Sequence, residues 1–176
     1  MINFIKKIVK KLCITFVIFF VIIFITTAII NVFHLYSKEE HNQMESVQVG
    51  KLTYSVIRSY YVDTIPARFL KNTNEYDEIL EHKNDAWIIV DVKIYNNSES
   101  SLTFISPTIV ADGEEYLIRS DISEAQVDTI APLSIITPSY CNKVSFIFDV
   151  KKHNSYLLVC YSDFFSGQRA NFKLEL

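Results

Sequence analysis

Trp87-Ile88-Ile89-Val90-Asp91-Val92-Lys93-Ile94-Tyr95-Asn96-Asn97-Ser98 is the stretch on which the fold turns. Ile88, Val90, Val92 and Ile94 take every second position, and Asp91, Lys93 and Tyr95 stand between them. A period of two puts alternate side chains on opposite faces of a strand, so one face is made for a core and the other is mixed. A helix would need its apolar residues three and four apart, and they are not.

The same period runs outward in both directions. Leu52, Tyr54 and Val56 alternate with Thr53 and Ser55, and Val144, Phe146, Phe148 and Val150 alternate with Ser145, Ile147 and Asp149. Leu102 and Phe104 begin a strand that stops at Ser106-Pro107, since proline cannot donate to a ladder. Thr108–Ala111 and Glu114–Ile118 flank Asp112-Gly113, a two-residue hairpin signal because both residues accept positive φ. Lys151–Ser155 reads as a polar turn, Tyr156–Tyr161 is apolar on both parities, and Ala170–Leu176 closes the chain as a strand. About seven or eight short strands with turn signals between them predict an all-β sandwich of the immunoglobulin-like kind. Tyr61–Ala86 is the one long connection, and Glu75–Glu81 within it can form one or two helical turns. Long connections in compact domains are often functional, which makes this the first candidate for a binding loop.

The amino end obeys different rules. Leu12–Phe33 reads LCITFVIFFVIIFITTAIINVF, with no charge between Lys11 and Lys38. As a helix it is roughly 33 Å long, enough for a hydrocarbon core of about 30 Å. Lys6, Lys7, Lys10 and Lys11 precede it and no acid occurs before Glu39, so the positive-inside bias puts the amino terminus in the cytoplasm. The division expected is a basic cytoplasmic tail (1–11), a transmembrane helix (12–36), a polar stalk (37–48) and an extracytoplasmic sandwich (49–176). The chain would thus be a single-pass protein of the bacterial cytoplasmic membrane. Thr26-Thr27-Ala28 offers an alternative, cleavage after Ala28 and secretion, although the apolar run outlasts a usual signal sequence.

Of 176 residues, 17 are Lys or Arg and 20 are Asp or Glu, for a net charge of −3. Because four of the lysines precede the span, the rest is more acidic than that total. Such a domain does not suit nucleic acid or anionic lipid, both of which need a cationic surface. Gly 3 in the whole chain leaves no glycine-rich phosphate loop, and there is no nucleophile elbow or HExxH spacing. The expectation is a protein that is not an enzyme and carries no cofactor. His34, His41, His82 and His153 are scattered and read as solvated. Glu114, Glu115, Asp121, Glu124 and Asp128 lack calcium-loop spacing and read as a solvated charged face.

Two sets of residues remain as candidates. Trp87, Ile89 and Tyr95 share the mixed face of their strand and, with Tyr60 and Tyr61, can form a protein-binding face. The competing reading packs them under the 61–86 connection. Cys141 and Cys160 lie outside the cytoplasm, where disulfides persist, but a hairpin turning near His153 would set residue 141 opposite a position several residues beyond Cys160.

The order of these features resembles the bacterial extracellular telokin-like domains, immunoglobulin-type sandwiches related to secreted immunoprotective antigens. The resemblance rests on Val49–Tyr54, Trp87–Ser98, Asp112–Tyr116 and Val144–Val150, and spans about residues 49–176. This chain departs from the group between Pro132 and Asn142, where the group usually has a glycine-containing turn. The resemblance implies the fold and an envelope location on a signal-anchored protein, and carries no catalytic residue. The function expected is a non-enzymatic module that binds an unidentified protein or serves envelope structure. An alternative is an accessory subunit held in a membrane complex by its transmembrane helix.

Overall fold

The computed structural model describes residues 40–70, 83–118, 129–162 and 167–176, with positions 16 and 122. The expected membrane helix (12–36) and the helical turns at 75–81 lie outside these, apart from residue 16. Among the described residues no helix is long and apolar enough to cross a membrane.

The described chain is all β, as the alternation predicts. Its strands are β1 (Glu40–His41), β2 (Ser46–Val49), β3 (Leu52–Val62), β4 (Ala86–Asn96), β5 (Leu102–Thr103), β6 (Thr108–Ala111), β7 (Glu114–Tyr116), β8 (Ile135–Ile136), β9 (Cys141–Val150), β10 (Leu157–Tyr161) and β11 (Arg169–Lys173). One sheet has the order β2-β3-β4-β9 and a second β1-β11-β10-β6-β7, while β5 and β8 form a separate pair. Every pairing is antiparallel except β1 with β11.

The two large sheets share a core. Tyr54, Val56, Ile88, Val90, Val92, Ile94, Val144, Phe146 and Phe148 from one meet Ile109, Leu158, Cys160 and Phe172 from the other. At about 25 cal/mol per Å² of apolar surface removed from water, each large side chain there contributes roughly 1.5–3 kcal/mol before entropy is counted. The Tyr54 hydroxyl crosses between the sheets and donates to the Tyr161 carbonyl at 2.6 Å. Burial, then the neighbouring Cys160, raises that phenol well above its ordinary pKa.

Several expectations need correction. Residues 40–48 are not a free stalk, because β1 pairs with Asn171–Phe172 and Ser46–Val49 with Leu52–Ser55. Two polar residues in β1 and only two alternating valines, Val47 and Val49, in β2 are too short a signal to mark the strands. The Val49–Tyr54 stretch that carries the resemblance spans two strands. The chain reverses at Gly50-Lys51, with Gly50 at φ +62, where a Cβ would come within 2.6 Å of the Ser162 hydroxyl. The Asp112-Gly113 hairpin forms as expected, with φ +48 and +83 on its two turn residues. Lys151–Ser155 is not a hairpin: it carries the chain from one large sheet to the other. The segment that departs from the resemblance makes two turns of type II pattern, Ala131–Ser134 and Thr137–Tyr140. Each has proline second and a non-glycine residue at positive φ third, Leu133 at +61 and Ser139 at +58.

Strand β3 contains a bulge. Val56 pairs with Val92 and Arg58 with Asp91, which leaves Ile57 unmatched. Before it the even-numbered residues face the core; after it the odd-numbered ones do. Tyr60 therefore joins the face of Ile89, and Tyr61 the face of Ile88.

Candidate functional site

The face of the β2-β3-β4-β9 sheet that points away from the core carries five cross-strand rows. They are Val62-Trp87-Asp149, Tyr60-Ile89-Ile147, Arg58-Asp91-Ser145, Ser55-Lys93-Lys143 and Thr53-Tyr95-Cys141. The first two rows are covered. After β3 the chain passes Pro66 into a single 3-10 turn, Ala67–Phe69, closed by Phe69 N–H to Pro66 O at 2.9 Å and Leu70 N–H to Ala67 O at 3.0 Å. Ile65, Phe69 and Leu70 from this segment, joined by Ile122, pack on Trp87, Ile89 and Ile147 as a second hydrophobic cluster, with Tyr60 and Val62 at its margin. Asp149 anchors the far end of the connection by accepting the backbone N–H groups of Lys83 at 2.6 Å and Asn84 at 3.0 Å.

This corrects the expected protein-binding face. Trp87 and Ile89 are both 0% exposed, and Tyr60 is half-buried beside them. The competing reading, packing under the 61–86 connection, describes these three. Tyr61 leaves the group altogether: it lies on the other side of its strand, and its hydroxyl donates to that of Tyr156 at 2.8 Å. Of the five residues only Tyr95 is open on the outer face, at 39% exposure.

The middle row is an ionic hub. Asp91 is buried, and its carboxylate accepts from Ser145 Oγ at 2.5 Å, Arg58 Nε at 2.5 Å and Lys143 Nζ at 2.9 Å. Burial works to raise its pKa, but the hydrogen bonds from Ser145, Lys143 and Arg58 outweigh it and hold the carboxyl below the usual range. The guanidinium of Arg58 also lies 5.3 Å from the Tyr60 ring centre, so it borders the covered half.

The last two rows are bare. Ser46, Thr53, Ser55, Lys93, Tyr95 and Cys141 line a shallow depression there. Lys93 and Lys143 stand directly opposite each other on neighbouring strands.

A second polar group sits at the end of the sandwich. The His153 ring lies between Asp112 Oδ2, 2.8 Å from Nδ1, and the Tyr116 hydroxyl, 2.7 Å from Nε2. Tyr116 donates onward to Glu114 at 2.6 Å, and Glu114 also holds Lys151 at 2.9 Å. Hydrogen bonds from Tyr116, then Lys151, keep the Glu114 carboxyl below its ordinary range; burial, with the same acid as neighbour, pushes the Tyr116 phenol up to about 12. His153 is thus a strut joining the β6–β7 hairpin to the loop after β9, not the solvated histidine its loop position predicts. No spacing could announce it, because Asp112 and His153 are distant in sequence.

Cys141 and Cys160 are free thiols, the first exposed on β9, the second buried on β10 in the other sheet. The candidate disulfide, which hairpin register already disfavoured, is not formed, since the chain changes sheets between them. Burial raises the Cys160 thiol pKa. Among the described residues no group of three His, Cys, Asp or Glu side chains converges as a metal site.

Solved structures share this architecture. The yjhA protein of Bacillus subtilis is 14% identical, covers 77% of this chain and 99% of its own, and superposes at a TM-score of 0.51. An uncharacterized β-sandwich protein from Clostridium difficile 630 is 16% identical over 79% of this chain and 97% of that one, at 0.50. The ycdA protein of Bacillus subtilis, a candidate lipoprotein, is 15% identical over 76% of this chain and 38% of its own, at 0.51. These likenesses establish a β-sandwich. No curated protein matches the chain. Residues 41–170, from β1 into β11, match a single family, and the chain belongs to that family, the domain of unknown function DUF4352.

Proposed function

We propose that this chain is a non-enzymatic, protein-binding module of the bacterial envelope, an immunoglobulin-type sandwich of telokin-like kind held outside the cytoplasmic membrane by the apolar segment 12–36. One observation carries the binding reading. A single sheet face is sealed over Trp87 and Ile89 by its own chain, yet left open around Tyr95, Lys93 and Cys141. A chain that covers one half of a face has the means to cover the rest, and an exposed tyrosine is a residue type enriched at contact surfaces. The uninterrupted run from Leu12 to Phe33 and the lysines before it support the anchor and its orientation.

The test is a photo-crosslinking amino acid placed at Tyr95 or, in a separate strain, at Tyr60, followed by irradiation of intact cells. A protein adduct is expected from position 95 and none from position 60. Equal adducts, or none from position 95, would remove this face as the binding surface.

A further inference from the structure

We infer that the open half of this face takes an acidic polypeptide segment, with Lys93 and Lys143 as charge partners and Tyr95 as the anchor. The inference deepens the binding reading above and rests on it.

Charge is the first reason. Three cations, Arg58, Lys93 and Lys143, share the middle row and the two open rows with one carboxylate, Asp91, in a domain that is otherwise acidic. Asp91 spends its oxygens on Arg58, Lys143 and Ser145, and Lys93 has no carboxylate partner among the described residues. Lys93 and Lys143 are directly opposed, an arrangement that destabilises a sheet by about 0.2–1 kcal/mol. A carboxylate arriving from outside would relieve that repulsion and pair the cation that Asp91 does not reach.

Geometry narrows the class. The backbone N–H groups of β3 and β4 are used in the ladder, so the face presents no phosphate cradle. It offers separated lysines, the hydroxyls of Ser46, Thr53 and Ser55, and one tyrosine on a shallow surface, which suits an extended peptide more than a compact anion. A second copy meeting face to face across a two-fold axis would oppose cations to cations. The acidity of the rest of the domain disfavours nucleic acid.

The experiment titrates fluorescein-labelled decaglutamate with the full-length protein in nonionic detergent and reads anisotropy. Saturable binding is expected, weakening as salt shortens the reach of the charges. Lys93→Glu is expected to weaken it about tenfold or more, as losing a specific charge contact does. Lys173→Glu is the control: an exposed residue on β11 of the other sheet, with the same change in net charge. It is expected to shift affinity less than about twofold. Absence of binding, or equal weakening by the two variants, overturns the inference. Circular dichroism of the Lys93→Glu protein separates lost binding from lost fold. An adduct at position 95 without decaglutamate binding would keep the face and refute the acidic partner; loss of both would refute the face itself.

Discussion

The two halves of the outer sheet face run on the same three strands and differ in what lies over them. At one end the rows are Val62-Trp87-Asp149 and Tyr60-Ile89-Ile147, and a separate piece of chain closes them off with Ile65, Phe69 and Leu70. At the other end the rows are Ser55-Lys93-Lys143 and Thr53-Tyr95-Cys141, and the surface is open. Asp91 lies on the border, buried yet ionised by three donors. The lesson is that the alternation of a strand fixes which residues share a face, and a different segment decides whether that face is core or surface.

The largest test of this division is to remove a side chain from each half. Trp87→Ala should cost about 3–5 kcal/mol, because it empties a packed second cluster, whereas Tyr95→Ala should change stability by less than about 0.5 kcal/mol. Urea unfolding followed by circular dichroism measures both, and equal losses would erase the distinction between the halves.

The border comes next. Asp91→Asn should cost about 1–3 kcal/mol near neutral pH. It removes charge-assisted bonds, while Arg58 and Lys143, both half-exposed, can turn to water. The sign with pH follows from a folded carboxyl held below its unfolded value of about 3.9. Its stabilisation is present above that value and disappears as pH falls through the lower, folded one. The wild type should therefore lose stability in acid more steeply than Asp91→Asn, and parallel curves would argue against an ionised hub.

A smaller effect has the opposite direction. Lys93→Gln should stabilise the protein by about 0.2–1 kcal/mol by ending the opposition to Lys143. A loss would mean that Lys93 has a partner within the chain. Least perturbing is a thiol reagent on the native protein: Cys141 should react at once and Cys160 only on unfolding. Slow labelling of Cys141 would show that the open half is covered after all.

How far the sequence anticipates this can be followed residue by residue. The core parity of Ile88, Val90, Val92 and Ile94 is plain, because burial on one face is written along a single strand. The hairpin at Asp112-Gly113 is plain because its φ values require such residues. The fate of Trp87 and Ile89 depends on Phe69, Leu70 and Ile122, which no period connects to β4. β1 is only two polar residues long, the alternation of Val47 and Val49 in β2 lasts only four residues, and the sheet change at Lys151–Ser155 looks locally like any tight turn. Tyr95 alone keeps its expected place on an open face, and the lysines beside it gain meaning only when register sets them opposite each other.

The unmatched residue Ile57 gives β3 a consequence for any insertion or deletion in this family. It works as a half-step in a two-stroke cycle: everything downstream is out of phase with everything upstream. Excising it would set Arg58 directly after Val56 and keep it opposite Asp91, with Ser59 still opposite Val90 and Tyr60 opposite Ile89, so the ladder would become regular without turning any side chain over. Loss of a single residue should therefore be tolerated at Ile57 and not at the matched positions on either side of it, where it would turn part of the strand over.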